Sequence, residues 1–156
     1  MFQRFLVLAA LAVATLLTGC MSVPEGLDLS LAKPTDGHKY VVKLQPLGDP
    51  DKIGQMQSWE ASVATADGKP VSGARIEVGG GMPQHGHGLP TRPAVTRELE
   101  GGRYVIGGVK FSMSGWWELK LKIDSSTNGP DAATFNVVVG RGTPRQTALL
   151  APAGKA

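Results

Sequence analysis

Two histidines spaced i and i+2, His85 and His87, with Met82 three residues ahead of the first, are the side chains here best suited to hold a ligand. They lie in Gly79-Gly80-Gly81-Met82-Pro83-Gln84-His85-Gly86-His87-Gly88-Leu89-Pro90, where glycine and proline fill most other positions. Imidazole suits copper, zinc and nickel, and a thioether is a soft donor that favours Cu(I). A second thioether, Met113, stands in Phe111-Ser112-Met113-Ser114-Gly115 just ahead of an apolar strand pattern, from where it could approach the loop. Met82, His85, His87 and Met113 together would make a mixed nitrogen and sulfur site for a copper ion. Blander readings stand beside that one. The ring nitrogens cap backbone groups or meet water, and Met113 fills core space, as methionine commonly does. His38, next to Gly37, reads as an exposed histidine without a role, and Met56, near Trp59, reads as core in preference to a further sulfur donor.

The sequence argues against catalysis. It has no Gly-x-Ser-x-Gly elbow, no phosphate-binding glycine loop leading into a helix and no His-Glu-x-x-His. A catalytic zinc normally takes three protein ligands and an orienting base. No carboxylate is near the histidines in sequence; Glu98 and Glu118 are the ones that folding would have to bring.

The elements that must carry the loop repeat with a period of two. Tyr40, Val42 and Leu44 alternate with Lys39, Val41, Lys43 and Gln45, as Trp59, Ala61 and Val63 do with Ser58, Glu60, Ser62 and Ala64. Ala74, Ile76 and Val78 alternate with Arg75 and Glu77, and most clearly Trp117, Leu119, Leu121 and Ile123 with Trp116, Glu118, Lys120 and Lys122. Phe135, Val137 and Val139 make a last strand, and Ala94 to Leu99 and Arg103 to Gly108 are shorter candidates. One face in the core and one in water is the signature of antiparallel sheets. Turns are written as Asp67-Gly68, Gly101-Gly102 and Asn128-Gly129. About seven strands separated by such turns predict an all-β, immunoglobulin-like antiparallel β-sandwich. The histidine loop then follows the strand ending near Val78 and sits at one end, where loops cluster. If His85-Gly86-His87 is locally extended, both imidazoles project to the same side. Trp117 is buried by its phase. Trp116 points outward, where it covers the loop, contacts a partner or rests at a membrane surface.

The ends are different in kind. A basic Arg4, an apolar run from Phe5 to Leu17 and Leu17-Thr18-Gly19-Cys20 form a secretory signal over 1–19. The run is too short for a span of about 20 residues. Leu-Thr-Gly-Cys resembles the lipobox of bacterial lipoproteins, so Cys20 is expected to carry lipid, palmitate included, and to anchor the mature chain in a membrane. Met21, where aspartate would favour inner-membrane retention, points to the outer membrane and the periplasm. As the only cysteine, Cys20 leaves no disulfide, so packing must supply stability. Residues 20–37 read as a tether, 38–140 as the folded domain and 141–156 as a flexible tail. Of 16 basic residues only Arg4 lies in the signal, leaving 15 against 13 acidic ones. That small, scattered excess gives no nucleic-acid footprint.

Three stretches resemble the YtkA-like and FixH-like families: Asp67-Gly68-Lys69-Pro70-Val71-Ser72-Gly73-Ala74; Met82-Pro83-Gln84-His85-Gly86-His87-Gly88; and Gly102-Arg103-Tyr104 leading to Met113-Ser114-Gly115-Trp116-Trp117-Glu118. The resemblance covers roughly Lys39 to Val139. It implies a small envelope domain of immunoglobulin-like fold. Through FixH-like relatives, linked to assembly of copper-containing respiratory oxidases, it also implies copper handling and an envelope metalloprotein as partner. FixH itself keeps a membrane helix where this chain has a cleavable lipoprotein signal. The competing expectation is a non-metal interaction module of the envelope, with Trp116 and the loop as its contact surface.

Overall fold

The computed structural model describes residues 23–140. The signal segment, Cys20 and the tail from 141 onward lie outside the described residues. Strands follow in chain order as β1 (Ala32–Pro34), β2 (Tyr40–Pro46), β3 (Gln57–Thr65), β4 (Arg75–Met82), β5 (His87–Gly88), β6 (Ala94–Leu99), β7 (Arg103–Val109), β8 (Gly115–Ser125) and β9 (Gly129–Val139). The period-two stretches all became strands. The two additions to the expected seven are short, β1 and β5.

All the pairings are antiparallel, along one path β1-β2-β3-β7-β6-β4-β8-β9 with β5 added on β4. The path folds over at β6, which pairs fully with β7 but meets β4 only at Glu77↔Ala94. Two layers result, β1-β2-β3-β7 and β4-β8-β9, a sandwich of immunoglobulin-like type. Between them lie Tyr40, Val42, Leu44, Trp59, Val63 and Ile106 from one layer, facing Trp117, Leu119, Leu121, Ile123, Phe135 and Val137 from the other. The phenol of Tyr40 (β2) crosses to the β8–β9 hairpin, bonding Ser125 Oγ at 2.9 Å and donating to the Gly129 carbonyl. Tyr104 donates to the Val71 carbonyl at 2.7 Å and accepts from the Ala74 amide at 3.0 Å, and burial pushes its phenol pKa up. Both buried hydroxyls are thus satisfied, as a dry core requires.

The segment expected to be a tether is partly domain. Leu31 and Thr35 are buried, at 3% and 1% exposure. Ala32, Lys33 and Pro34 pair with β2, the Asp36 amide donates to the Ala132 carbonyl at 2.8 Å, and Lys33 Nζ sits 5.2 Å above the Phe135 ring. Prolines and small residues there describe an edge strand bending from one layer toward the other, not a free linker.

One end of the sandwich gathers the β2–β3 loop, the connection from β4 to β6, the β7–β8 turn and the close of β9. The opposite end gathers the β1–β2, β3–β4, β6–β7 and β8–β9 turns.

Candidate metal site

β4 does not stop at Val78 but continues through Gly79, Gly80 and Gly81 to Met82, and His87 and Gly88 return beside it as β5. The glycines make this hairpin. A side chain on Gly80, at φ 151°, would run into the Glu118 carbonyl oxygen of β8, and one on Gly81 into the His87 carbonyl oxygen. Only hydrogen fits where two backbones approach so closely from either side.

Pro83–His85 then winds as a single 3-10 turn, with proline at its start, where no amide donor is needed. Gly86 ends it in the left-handed region (φ 63°, ψ 20°), its amide donating to the Pro83 carbonyl at 3.3 Å. His85-Gly86-His87 is therefore not extended. The imidazoles nonetheless come side by side, ring centroids 5.9 Å apart and planes within 22°. Both histidines are exposed. Neither ring has a hydrogen-bond partner among the described residues, so the reading in which the nitrogens cap backbone groups does not describe them.

The sulfurs differ. Met82 is the direct cross-strand partner of His87, which sends both side chains to one face with Cβ atoms about 5 Å apart. Yet Met82 turns inward and is 1% exposed, its terminal methyl against Gly115, which holds φ 127° and whose missing Cβ leaves that room. Met113, two residues earlier on the same turn, is 38% exposed, contrary to a role as core filler; the Trp117 indole donates to its carbonyl at 3.1 Å. The hairpin thus unites Met82, His85 and His87, and the β7–β8 turn brings Met113's segment against Met82.

Two imidazoles sharing one cation at nitrogen–metal distances of about 2.0 Å hold their centroids roughly 5 to 6 Å apart. The observed 5.9 Å lies within that range. Among the described residues no group of three His, Cys, Asp or Glu side chains is placed to hold a metal. Glu118 borders the same open hollow as Met82 and His87 but is paired with Lys120 at 2.9 Å. The donor set on the rim is therefore two imidazoles, with Met82 turned into the core behind them and Met113 on the neighbouring turn. Two nitrogens suit a soft cation of low coordination number better than tetrahedral zinc or an oxygen-seeking ion.

Trp117 is buried at 1%. Trp116 is half-buried, its indole donating to Asn136 Oδ1 at 2.9 Å while Asn136 donates to the Asp28 carbonyl at 2.8 Å. It ties β8 to β9 and to the N-terminal segment, and is not a bare contact handle. His38 is exposed in the β1–β2 turn at φ 59°. Met56 is not core: it is 68% exposed, because it shares phase with Ser58 and Glu60 and not with Trp59. With it, Leu47 and Ile53 are exposed on the β2–β3 loop at the same end as the histidines. Sequence reading passed over those two; the signal was a lone apolar residue on each side of Gly48-Asp49-Pro50-Asp51, where turn chemistry leaves nowhere to bury them.

A search among curated proteins finds no match. Among solved structures, the chain is similar to a DUF4426 family protein from Pseudomonas aeruginosa PAO1, at 14% identity and a TM-score of 0.51, over 72% of this chain and 98% of that one. It also aligns with the Lin-41 filamin domain, at 16% identity and a TM-score of 0.39, over 64% and 93%. The first likeness supports the all-β sandwich and nothing more specific. The YtkA-like family model matches residues 36–122, more than half the chain and including both histidines, and the protein belongs to that family.

Proposed function

We propose that this is a lipid-anchored envelope protein that binds a copper ion through His85 and His87 and acts as carrier or metallation accessory for an envelope metalloprotein. The observation that carries the reading is the pair of exposed imidazoles, 5.9 Å between centroids and without hydrogen-bond partners among the described residues. Exposed imidazoles side by side on a glycine-shaped hairpin meet water and have no protein partner among the described residues, so a cation can take both at once. The turn that bears Met113 packs on Met82 through Gly115, which is the ground for including its sulfur in the proposed site. Because the pair opens to solvent at the rim, a partner's donor can approach on the same side, and ligand exchange needs no unfolding. The Leu-Thr-Gly-Cys lipobox supports acylation at Cys20 and a periplasm-facing position on the outer membrane.

Apo protein titrated with Cu(I) against a competing chelator is expected to retain a single equivalent. The double substitution His85→Ala with His87→Ala is expected to lose it without a change in melting, since both side chains are exposed. Equal retention by the double variant overturns the metal reading. The non-metal interaction module then remains, favoured by the exposed Leu47, Ile53 and Met56 on the neighbouring loop.

A further inference from the structure

We propose that the end of the sandwich carrying the histidine hairpin lies against the lipid bilayer, seated through Leu47, Ile53, Met56 and Met113. The inference rests on the Cys20 anchor of the preceding reading and needs no copper; Met113 is the one residue it shares with the metal reading, and Leu47, Ile53 and Met56 carry it without that residue.

Four of the six exposed large hydrophobic side chains among the described residues are at this end, Leu47 at 50%, Ile53 at 40%, Met56 at 68% and Met113 at 38%; the others are Val23 and, near the start of β2, Val41. Leu47 and Met56 border one hollow. The Gly54 amide donates to the Phe111 carbonyl at 2.7 Å, joining the β2–β3 loop to the turn that bears Met113. Gly140, where β9 ends, lies between Ser114 and the Ile53 side chain. The patch is thus continuous across three connections. Its two acids are exposed, and each accepts a backbone amide: Asp49 from Asp51 at 3.0 Å, and Asp51 from Gly140 at 3.0 Å. Lys52 and Lys110 stand on the same connections, and Arg92 on the one from β4 to β6 at the same end. Apolar tips framed by long cationic side chains fit a headgroup and acyl-chain boundary.

Chain length favours the same end. The N-terminal segment is pinned where the Asp28 carbonyl meets Asn136 of β9. From Asn136, β9 runs three residues to its close at Val139, about 10 Å. In the other direction it runs seven residues back to Gly129, about 23 Å, with the β8–β9 turn beyond. Eight residues from Asp28 to Cys20 span at most about 28 Å when fully extended. The turn at Glu25 and Gly26, with Gly26 at φ 76°, takes up part of that length. An acylated Cys20 therefore reaches a bilayer at the histidine end with slack to spare, and reaches the opposite end only when the segment is drawn out almost fully. Metal held by the hairpin would be presented along the membrane surface, to partners in the same membrane.

Acylated Cys20 has no free thiol, so one introduced cysteine gives a unique label in the full lipoprotein. Met56→Cys and, at the opposite end, Ser126→Cys each carry an environment-sensitive nitrobenzoxadiazole group in vesicles of phosphatidylethanolamine and phosphatidylglycerol. Spin-labelled lipid is expected to quench the label at position 56 several-fold more strongly than at position 126, with a blue-shifted emission at position 56 only. Equal quenching at both positions, with acyl chains found on Cys20 by mass spectrometry, overturns this inference and leaves the anchor standing. Absence of acyl chains overturns both. Protection of position 56 in native membranes but not in pure lipid assigns the patch to a membrane protein and overturns the bilayer as its occupant.

Discussion

Met82 and Met113 separate stability from binding. Met82 is 1% exposed, and truncating a buried methionine to alanine removes about 2 to 5 kcal/mol by loss of burial and by the cavity left behind. Met113 projects into solvent, and its carbonyl, not its sulfur, holds the Trp117 indole. Met113→Ala is therefore expected to leave the melting temperature within about 0.5 kcal/mol of the parent in stability terms while weakening Cu(I) retention. Met82→Ala is expected to melt far lower. Thermal melts paired with chelator competition check both, and unchanged retention in Met113→Ala removes that residue from the site. Residue types and spacing made the histidine pair legible; the route that brings the rings together was not. Alternation along an extended strand predicted a common side, whereas the actual path is a 3-10 turn reversed by left-handed Gly86. That choice depends on β8 passing so close to position 80, and the returning β5 so close to position 81, that both admit only glycine, and the approach of β8 is a tertiary fact absent from local sequence.

Among elements, the β1–β2 turn is held by a single carboxylate on β9. Asp131 accepts from the Thr35 hydroxyl at 2.6 Å and from the amides of Gly37 at 2.9 Å, Lys39 at 3.1 Å and Ala132 at 2.8 Å. Desolvation opposes its charge, but these four donors outweigh it and hold the carboxyl well below its ordinary value of 3.8. A folded pKa below the unfolded one means the unfolded chain takes up the proton first. The contribution is complete above about pH 4 and drains away as pH falls further. Asp131→Asn offers a single acceptor oxygen and is expected to cost about 1 to 3 kcal/mol at neutral pH, allowing for partial exposure. It is also expected to flatten the acid limb of stability. Asp28, lowered by the Ser30 amide and Lys33, and Asp67, lowered by the Thr65 hydroxyl and Lys69, keep some slope. Denaturant melts from pH 7 down to about 2 test this; an unchanged slope in Asp131→Asn would show that the clasp carries no linkage. The strands themselves were readable because alternation survives along β2, β3, β8 and β9. β1 was not, since three residues carry too little period, and its burial comes from Leu31 and Thr35 flanking it.

For the whole molecule, the missed strand moves the boundary of the folding unit. A chain beginning at His38, where the sequence pattern starts, would lack Leu31, β1 and Thr35. Burying a leucine contributes about 1.5 to 3 kcal/mol, and the hydroxyl bond to the Asp131 carboxylate about 1.5 to 3 more. Three backbone pairings with β2 and the Lys33 contact with Phe135 would go as well. Asp131 would be left with unmatched acceptor capacity. The edge of β2 would be bare, and an uncovered strand edge recruits other chains. With no disulfide available to restrain the unfolded chain, nothing else offsets the loss. A chain beginning at Val23 keeps all of these contacts and is expected to melt as the parent domain does. One beginning at His38 is expected to lose at least about 3 kcal/mol and to aggregate on heating. Side-by-side calorimetry of the two decides it: equal transitions would mean that the N-terminal segment merely lies on a sandwich already complete without it, and the slack computed from Asp28 to Cys20 would then have no fixed origin.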